Sequence, residues 1–164
     1  MDKLKPNNQN PQNTLLFEQY KIAVEMADRI SARREGANKL FLSANSIILV
    51  FIVTRQELSN IHIFIGIFGI VLSYIWASII QNYRSLNSAK YAVILEMEEK
   101  LPWKVYGDEW KKLKEGGDKK VYAKLTVVEK KLPHIFLVFY VFIIIWVIGS
   151  LYGKIILDFI FSSS

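Results

Sequence analysis

Three stretches of the chain are nearly free of charge, and the charged residues crowd into what lies between them. The first runs from Ala37 to Thr54, with Lys39 just inside one end and Arg55 beyond the other. Its core, Leu40–Val53, has only Ser43, Asn45 and Ser46 as polar residues. A helix needs ~20 residues to cross ~30 Å of hydrocarbon, and Lys39 can snorkel to the headgroups, so the stretch suffices. The second, Ile61–Ile80, is 20 residues without a formal charge, with His62 at its edge. The third, Ile135–Gly153, is 19 uncharged residues, and Pro133 fits as a helix-starting residue at its entry. Past Lys154, Ile155–Phe161 is apolar apart from Asp158 and either prolongs that helix or lies along the bilayer. A small soluble domain cannot bury three helices that are apolar all round. The pattern therefore predicts an all-α integral membrane protein with three transmembrane helices, at 40–54, 61–81 and 134–157, and a helical cytoplasmic part.

Composition agrees once it is read along the chain. The 164 residues are 52% hydrophobic and 22% charged, and the mean hydropathy is +0.22. Those values coexist because apolar and charged residues are segregated. The net charge of +6 is of the kind that basic flanks facing anionic lipid produce, and no nucleic-acid partner is expected. Nineteen of the 21 basic residues lie in 1–39 and 82–133; only Arg55 and Lys154 lie elsewhere. Three spans place those two basic segments on one side, which the positive-inside rule makes the cytoplasm. The chain is thus expected to be multi-pass in the inner (cytoplasmic) membrane, with its N-terminus inside and a short C-terminal end, 158–164, outside. The opening 1–13, with its run PNNQNPQN, reads as a disordered polar tail, and no cleaved signal peptide is expected ahead of an apolar run that starts near residue 40.

Thr14 is a candidate N-cap for a cytoplasmic helix over 14–39 that continues into the first span, with Gly36 as its one weak point. Leu16, Tyr20, Ala23, Ala27, Ile30, Arg34, Ala37 and Phe41 repeat at spacings of four and three. Such a row packs on another helix, either the second cytoplasmic segment of the same chain or a neighbouring subunit. An overlapping row, Ser31, Arg34, Asn38 and Asn45, carries a polar stripe into the membrane-embedded part. Asn45 is the one strongly polar side chain in the core of the span. Two readings stay open: it bonds a neighbouring helix and fixes assembly, or with Asn38 it lines a water-filled opening.

The second helix should run on past the membrane through Asn82–Lys100 and stop before Pro102. Leu86, Ala89, Val93, Ile94, Met97 and Leu101 form its apolar face, and Glu96, Glu98 and Glu99 read as solvated decoration. An aromatic-rich piece follows, with a short helix near Asp108–Leu113, a turn at Gly116–Gly117 and a further element over Tyr122–Lys131. Trp103, Tyr106 and Trp110 are candidate contacts for a partner or for lipid, or the small core of this 82–133 segment. No catalytic constellation emerges. With no cysteine, disulfides and thiolate chemistry are excluded. His62 and His134 fall at opposite membrane faces, so no shared metal and no cofactor is expected. Gly66, Gly69, Gly149 and Gly153 read as close-packing residues rather than phosphate cradles.

Two separated motifs carry a resemblance. One is Ala27-Asp28-Arg29-Ile30-Ser31-Ala32-Arg33-Arg34, continuing through Ala37-Asn38-Lys39-Leu40-Phe41-Leu42 to Asn45. The other is Tyr83-Arg84-Ser85-Leu86-Asn87-Ser88-Ala89-Lys90, followed by Leu101-Pro102, Tyr106 and Glu109-Trp110. Together they resemble the RipA family of octameric bacterial membrane proteins, over roughly residues 20–153. The resemblance implies a bacterial inner-membrane protein that assembles with itself as a homo-octamer, without an activity assignable to particular residues. The chain is also loosely similar to the two-span effector modules of bacterial defence systems, but carries a third span and a longer loop. The function expected is non-enzymatic: a channel or pore, or a membrane-perturbing effector. The alternative is a membrane scaffold whose basic cytoplasmic segment docks a protein partner or anionic lipid.

Overall fold

A computed structural model describes residues 11–55, 57–117 and 125–162. They form four α-helices: α1 (Pro11–Thr54), α2 (Asn60–Glu98), α3 (Val105–Lys112) and α4 (Leu125–Ser162). A single 3-10 turn, Lys114–Gly116, follows α3, and there is no strand among the described residues. Helices α1, α2 and α4 each contain a segment long and apolar enough to cross a membrane. The fold is all-α with three such helices, as the apolar runs predict.

The chain divides into two compact units. One is drawn from Met1–Arg33 and Tyr83–Lys124, the other from Arg34–Asn82 and Leu125–Ser164. We call them the charge-rich and the apolar unit.

The apolar unit is three helices deep. Helix α2 runs antiparallel to both neighbours: Trp76 meets Asn38 and Ser73 meets Asn45 on α1, while Asn60 meets Tyr152 on α4. Helices α1 and α4 run parallel, joined at Arg34–Glu129 and Asn45–Tyr140. The inward face of α2 is His62, Gly66, Gly69, Ser73, Trp76 and Ile80, all buried at alternating spacings of four and three. Among the side chains described on α4, the buried ones are Pro133, Tyr140 and Val147, seven apart. That spacing keeps one seam facing a partner helix. The opposite faces expose Ile47, Phe64, Phe68, Val138 and Phe142. Apolarity alone therefore does not choose the seam; the small and polar residues on it set it apart, because hydrocarbon solvates leucine as well as a protein interior does.

Between α1 and α2 the chain turns through a reciprocal cap. The Ser59 N–H donates to His62 Nδ1 at 3.2 Å, and the His62 N–H donates back to the Ser59 carbonyl at 3.0 Å. The ring of His62 thus does for the Ser59 N–H what glutamate does in a capping box, while the return bond is a backbone turn to the carbonyl.

In the charge-rich unit, α1 and α2 continue as an antiparallel pair. Tyr20 contacts Glu98, Met26 contacts Lys90, and Ser31 contacts Asn87. Ala27 and Ile94 are buried between them. The row Leu16, Tyr20, Ala23, Ala27 and Ile30 is the face of α1 turned inward, so it packs on the second segment of the same chain.

Four local expectations differ from the structure. Helix α1 is already formed at Pro11, three residues before the Thr14 cap, since proline needs no N–H partner in a first turn. Pro133 does not start a helix but lies inside α4, buried. Its missing N–H is tolerated because neighbouring helices hold the segment in place. Glu98 is not solvated: it is 1% exposed, whereas Glu96 and Glu99 are exposed. Of the apolar face foreseen on α2, Ile94 is buried but Leu86, Ala89 and Val93 are exposed. The segment Ile155–Phe161 lies within α4, which runs on to Ser162. The tail at 1–10, and the first part of the element expected over Tyr122–Lys131, lie outside the described residues.

Candidate functional site

The most concentrated polar chemistry in the apolar unit surrounds Asn45. Its Nδ2 donates to the Phe41 carbonyl one turn back, at 2.8 Å. Its Oδ1 accepts from Ser73 Oγ on α2 and from Tyr140 Oη on α4, each at 3.1 Å. Tyr140 Oη also lies 3.2 Å from the Asn45 carbonyl. All three side chains are 0% exposed. One amide thus holds both other helices of the unit, and no charge is needed where a bare ion would be costly.

Glycine makes that reach possible. A Cβ on Gly69 would overlap the ring of Tyr140, so the tyrosine lies flat across the bare backbone and its hydroxyl arrives at Asn45. A Cβ on Gly66 would come within 2.7 Å of Ile144. Both glycines are the close-packing positions that small residues at helix seams provide.

Next to this lies Trp76, fully buried. Its Nε1–H donates to Asn38 Oδ1 at 3.0 Å. The indole stacks on Phe41 with centroids 6.1 Å apart and planes 8° from parallel, and tilts against Phe136 at 5.9 Å. Arg34 faces Glu129 on α4 at 3.6 Å. Neither Arg34 Nε nor Glu129 Oε2 has a hydrogen-bond partner, so charge rather than bonding geometry holds the pair.

The charge-rich unit has its own buried polar centre at Glu98. The carboxylate accepts from Tyr20 Oη at 2.9 Å, from the Tyr106 N–H at 2.8 Å and from the Gly107 N–H at 3.0 Å. Two of those donors are first-turn amides of α3, whose lysine N-cap supplies no side-chain bond. Glu98 therefore caps α3 from a distant turn, where the helix end favours a negative charge. Burial, and then the bond to Glu98, hold the Tyr20 phenol well above its ordinary pKa. Burial, followed by Asp28 nearby, raises Tyr106 as well. Tyr106 sets its ring edge-on to Tyr91 at 5.6 Å.

The stripe residues are each partnered inside the chain: Ser31 with Asn87 at 3.5 Å, Arg34 with Glu129, Asn38 with Trp76 and Asn45 with Ser73 and Tyr140. The last three share the apolar unit, whereas Ser31 belongs to the charge-rich one. Of the aromatic trio, Tyr106 is half-buried and Trp110 exposed, while Trp103 stands out at 76% exposure. Reasoning from sequence did not single out Ser73, Tyr140, Glu129 or Glu98. The seven-residue spacing of Pro133, Tyr140 and Val147 was the signal that could have found Tyr140. Among the described residues, no three histidine or carboxylate side chains converge as a metal site would need.

Comparison with known proteins places this arrangement in a family context. A family model described as the octameric membrane protein family (8xMP) matches residues 17–149. No curated protein and no solved structure matches the chain.

Proposed function

The chain belongs to the octameric membrane protein family, and from that premise we propose that it acts without catalysis, as a homo-octamer in the bacterial inner membrane. The charge-rich unit faces the cytoplasm in this reading, with the C-terminus outside, following the basic residues at 1–39 and 82–133. The octamer opens or perturbs the membrane as a channel, pore or effector. One observation carries the form of the proposal: the amides between the three apolar helices are partnered within one subunit, Asn45 by Ser73 and Tyr140, and Asn38 by Trp76. A sealed three-helix block conducts nothing through its own middle. Any path runs between subunits, and Ser31, Arg34, Asn38 and Asn45 hold each subunit's own helices together rather than line the opening.

The test is ion flux through purified octamers in liposomes. Flux whose ion selectivity is unchanged by Asn38→Leu supports the reading. Intact octamers that neither pass ions nor release an entrapped dye would remove it.

A second reading, a scaffold gripping anionic lipid, is favoured by the surface of α4. There Lys130 and His134 border a polar hollow with Gln81 and Asn82, and His134 also opens an apolar one lined by Ile135, Val138 and Phe142. A phosphate on the basic edge and an acyl chain along the slot would suit that pairing. Lipid retained by octamers but lost from Lys130→Gln/His134→Gln would favour it over the pore.

A further inference from the structure

Within the charge-rich unit, α3 covers only one side of the α1–α2 pair. Tyr106 lies on Tyr91, and Gly107 sits over Glu98 and close to Leu95. Asp28 of α1 is near enough to raise the Tyr106 phenol, so it belongs to this side too.

The other side is bare. Leu15, Ile22 and Met26 recur on α1 at spacings of seven and four, which returns them to one edge of the helix. Leu86, Ala89 and Val93 do the same on α2 at spacings of three and four. All six are exposed. Helical phase turns both edges to the same side of the antiparallel pair, away from α3. The Lys90 ammonium of α2 reaches the Met26 sulfur of α1 at 3.7 Å, so the two edges adjoin and form one ribbon, apolar but for that lysine. Lipid does not account for such a ribbon, because 11–33 and 83–117 hold many of the chain's charges and no uncharged span. Large apolar patches of this kind on a watery unit mark a contact surface.

On the α3 side, a different apolar patch protrudes: Trp103 is 76% and Val105 54% exposed. Each subunit of the charge-rich unit thus has two unlike apolar sides. A closed ring of more than two subunits with a single contact type requires that pair, since every interface joins one surface of a chain to another surface of the next. The family is described as octameric, and a single ring of eight chains satisfies that number.

We infer that the ribbon formed by Leu15, Ile22, Met26, Leu86, Ala89 and Val93 is the seat of a second copy of this chain, which docks through its Trp103 and Val105 side. The inference rests on the octamer reading above and adds the surfaces that close the ring. It gives the charge-rich unit the directional half of the assembly.

The chain has no cysteine, so introduced thiols report only on themselves. In native membranes, the doubles Val93→Cys/Val105→Cys and Ile22→Cys/Trp103→Cys are oxidised and run without reductant. The expected result is a ladder of bands rising to eight chains, with each single variant remaining a monomer. Dimers from Val93→Cys alone would mean like faces like, and would overturn the inference. Absence of cross-links in both doubles, while native mass spectrometry still reads eight chains, would overturn the surfaces and spare the octamer. A native mass other than eight would strike the octamer reading itself. A second measurement uses Val93→Glu: the native mass should fall from eight chains to fewer with helicity retained, and an unshifted octamer would contradict the assignment.

Discussion

Asn45 in the apolar unit and Glu98 in the charge-rich unit do the same job with different chemistry. Each is a buried acceptor that gathers donors from distant parts of its unit. Asn45 is neutral and takes hydroxyls from two other helices. Glu98 is a carboxylate and takes two backbone amides and a phenol. The solvent explains the difference. Between apolar helices an ion would lose its hydration with nothing to replace it, so an amide serves. Near water a carboxylate can be buried, provided a helix end and hydrogen bonds satisfy it. One lock therefore answers to shape and the other to charge and pH.

The lock in the apolar unit is best broken through its floor. Gly69→Val puts a branched side chain into the space of the Tyr140 ring. We expect the largest loss here, about 3 kcal/mol by the usual cost of overpacking, read as a collapse of thermal stability in detergent. Asn45→Leu comes next. It strands the Ser73 and Tyr140 hydroxyls and should cost about 1–2 kcal/mol, within the range for hydrogen bonds between membrane helices. Its effect should appear as slower hydrogen exchange protection loss in 11–33 than in 34–54.

The charge-rich unit is probed by Glu98→Gln. The amide keeps one acceptor but turns an NH2 toward a backbone N–H, costing about 1–2 kcal/mol for the unmatched group. Protection of α3 should fall while that of the spans is untouched. The same centre has an alkaline limit. Folding holds the Tyr20 phenol protonated beyond its usual range, whereas an unfolded tyrosine titrates near ~10. The stabilisation is thus complete below pH ~10 and is lost as the pH climbs through the raised folded value. Tyr20→Phe should lessen this alkaline loosening of the charge-rich unit, followed by near-UV circular dichroism, leaving the part that the raised Tyr106 phenol contributes.

The smallest effect is a gain. Gly36 sits inside α1 with nothing within 4 Å of where a Cβ would stand. Gly36→Ala should stabilise α1 by about 0.5–1 kcal/mol, the usual helix-interior difference. A loss there would mean that a neighbour needs the bare backbone.

Much of this was legible in the sequence because it depends on run length and phase. Three uncharged stretches give three spans whatever they pack against, and the four-three row from Leu16 to Phe41 marks the inward face of α1 by its period alone. Asn45 stood out as a lone amide in apolar surroundings. Its partners did not, since Ser73 and Tyr140 meet it only through the antiparallel register of α2 and the parallel register of α4. Glu98 was hidden among Glu96 and Glu99. Only its place one turn after the buried Ile94 separates it from its neighbours, and only the position of α3 makes that place matter. Pro133 misled because the rule for helices in water favours a first turn, whereas packing holds this one inside α4.

The central claim is that Asn45 locks helices within each subunit. A double-mutant cycle on Asn45→Leu and Tyr140→Phe in reconstituted protein tests it directly, since Phe keeps the ring over Gly69 and removes only the hydroxyl. The account predicts non-additive losses, with a coupling of about 0.5–1.5 kcal/mol. Strictly additive losses would mean that the two groups do not bond in the membrane and would contradict it.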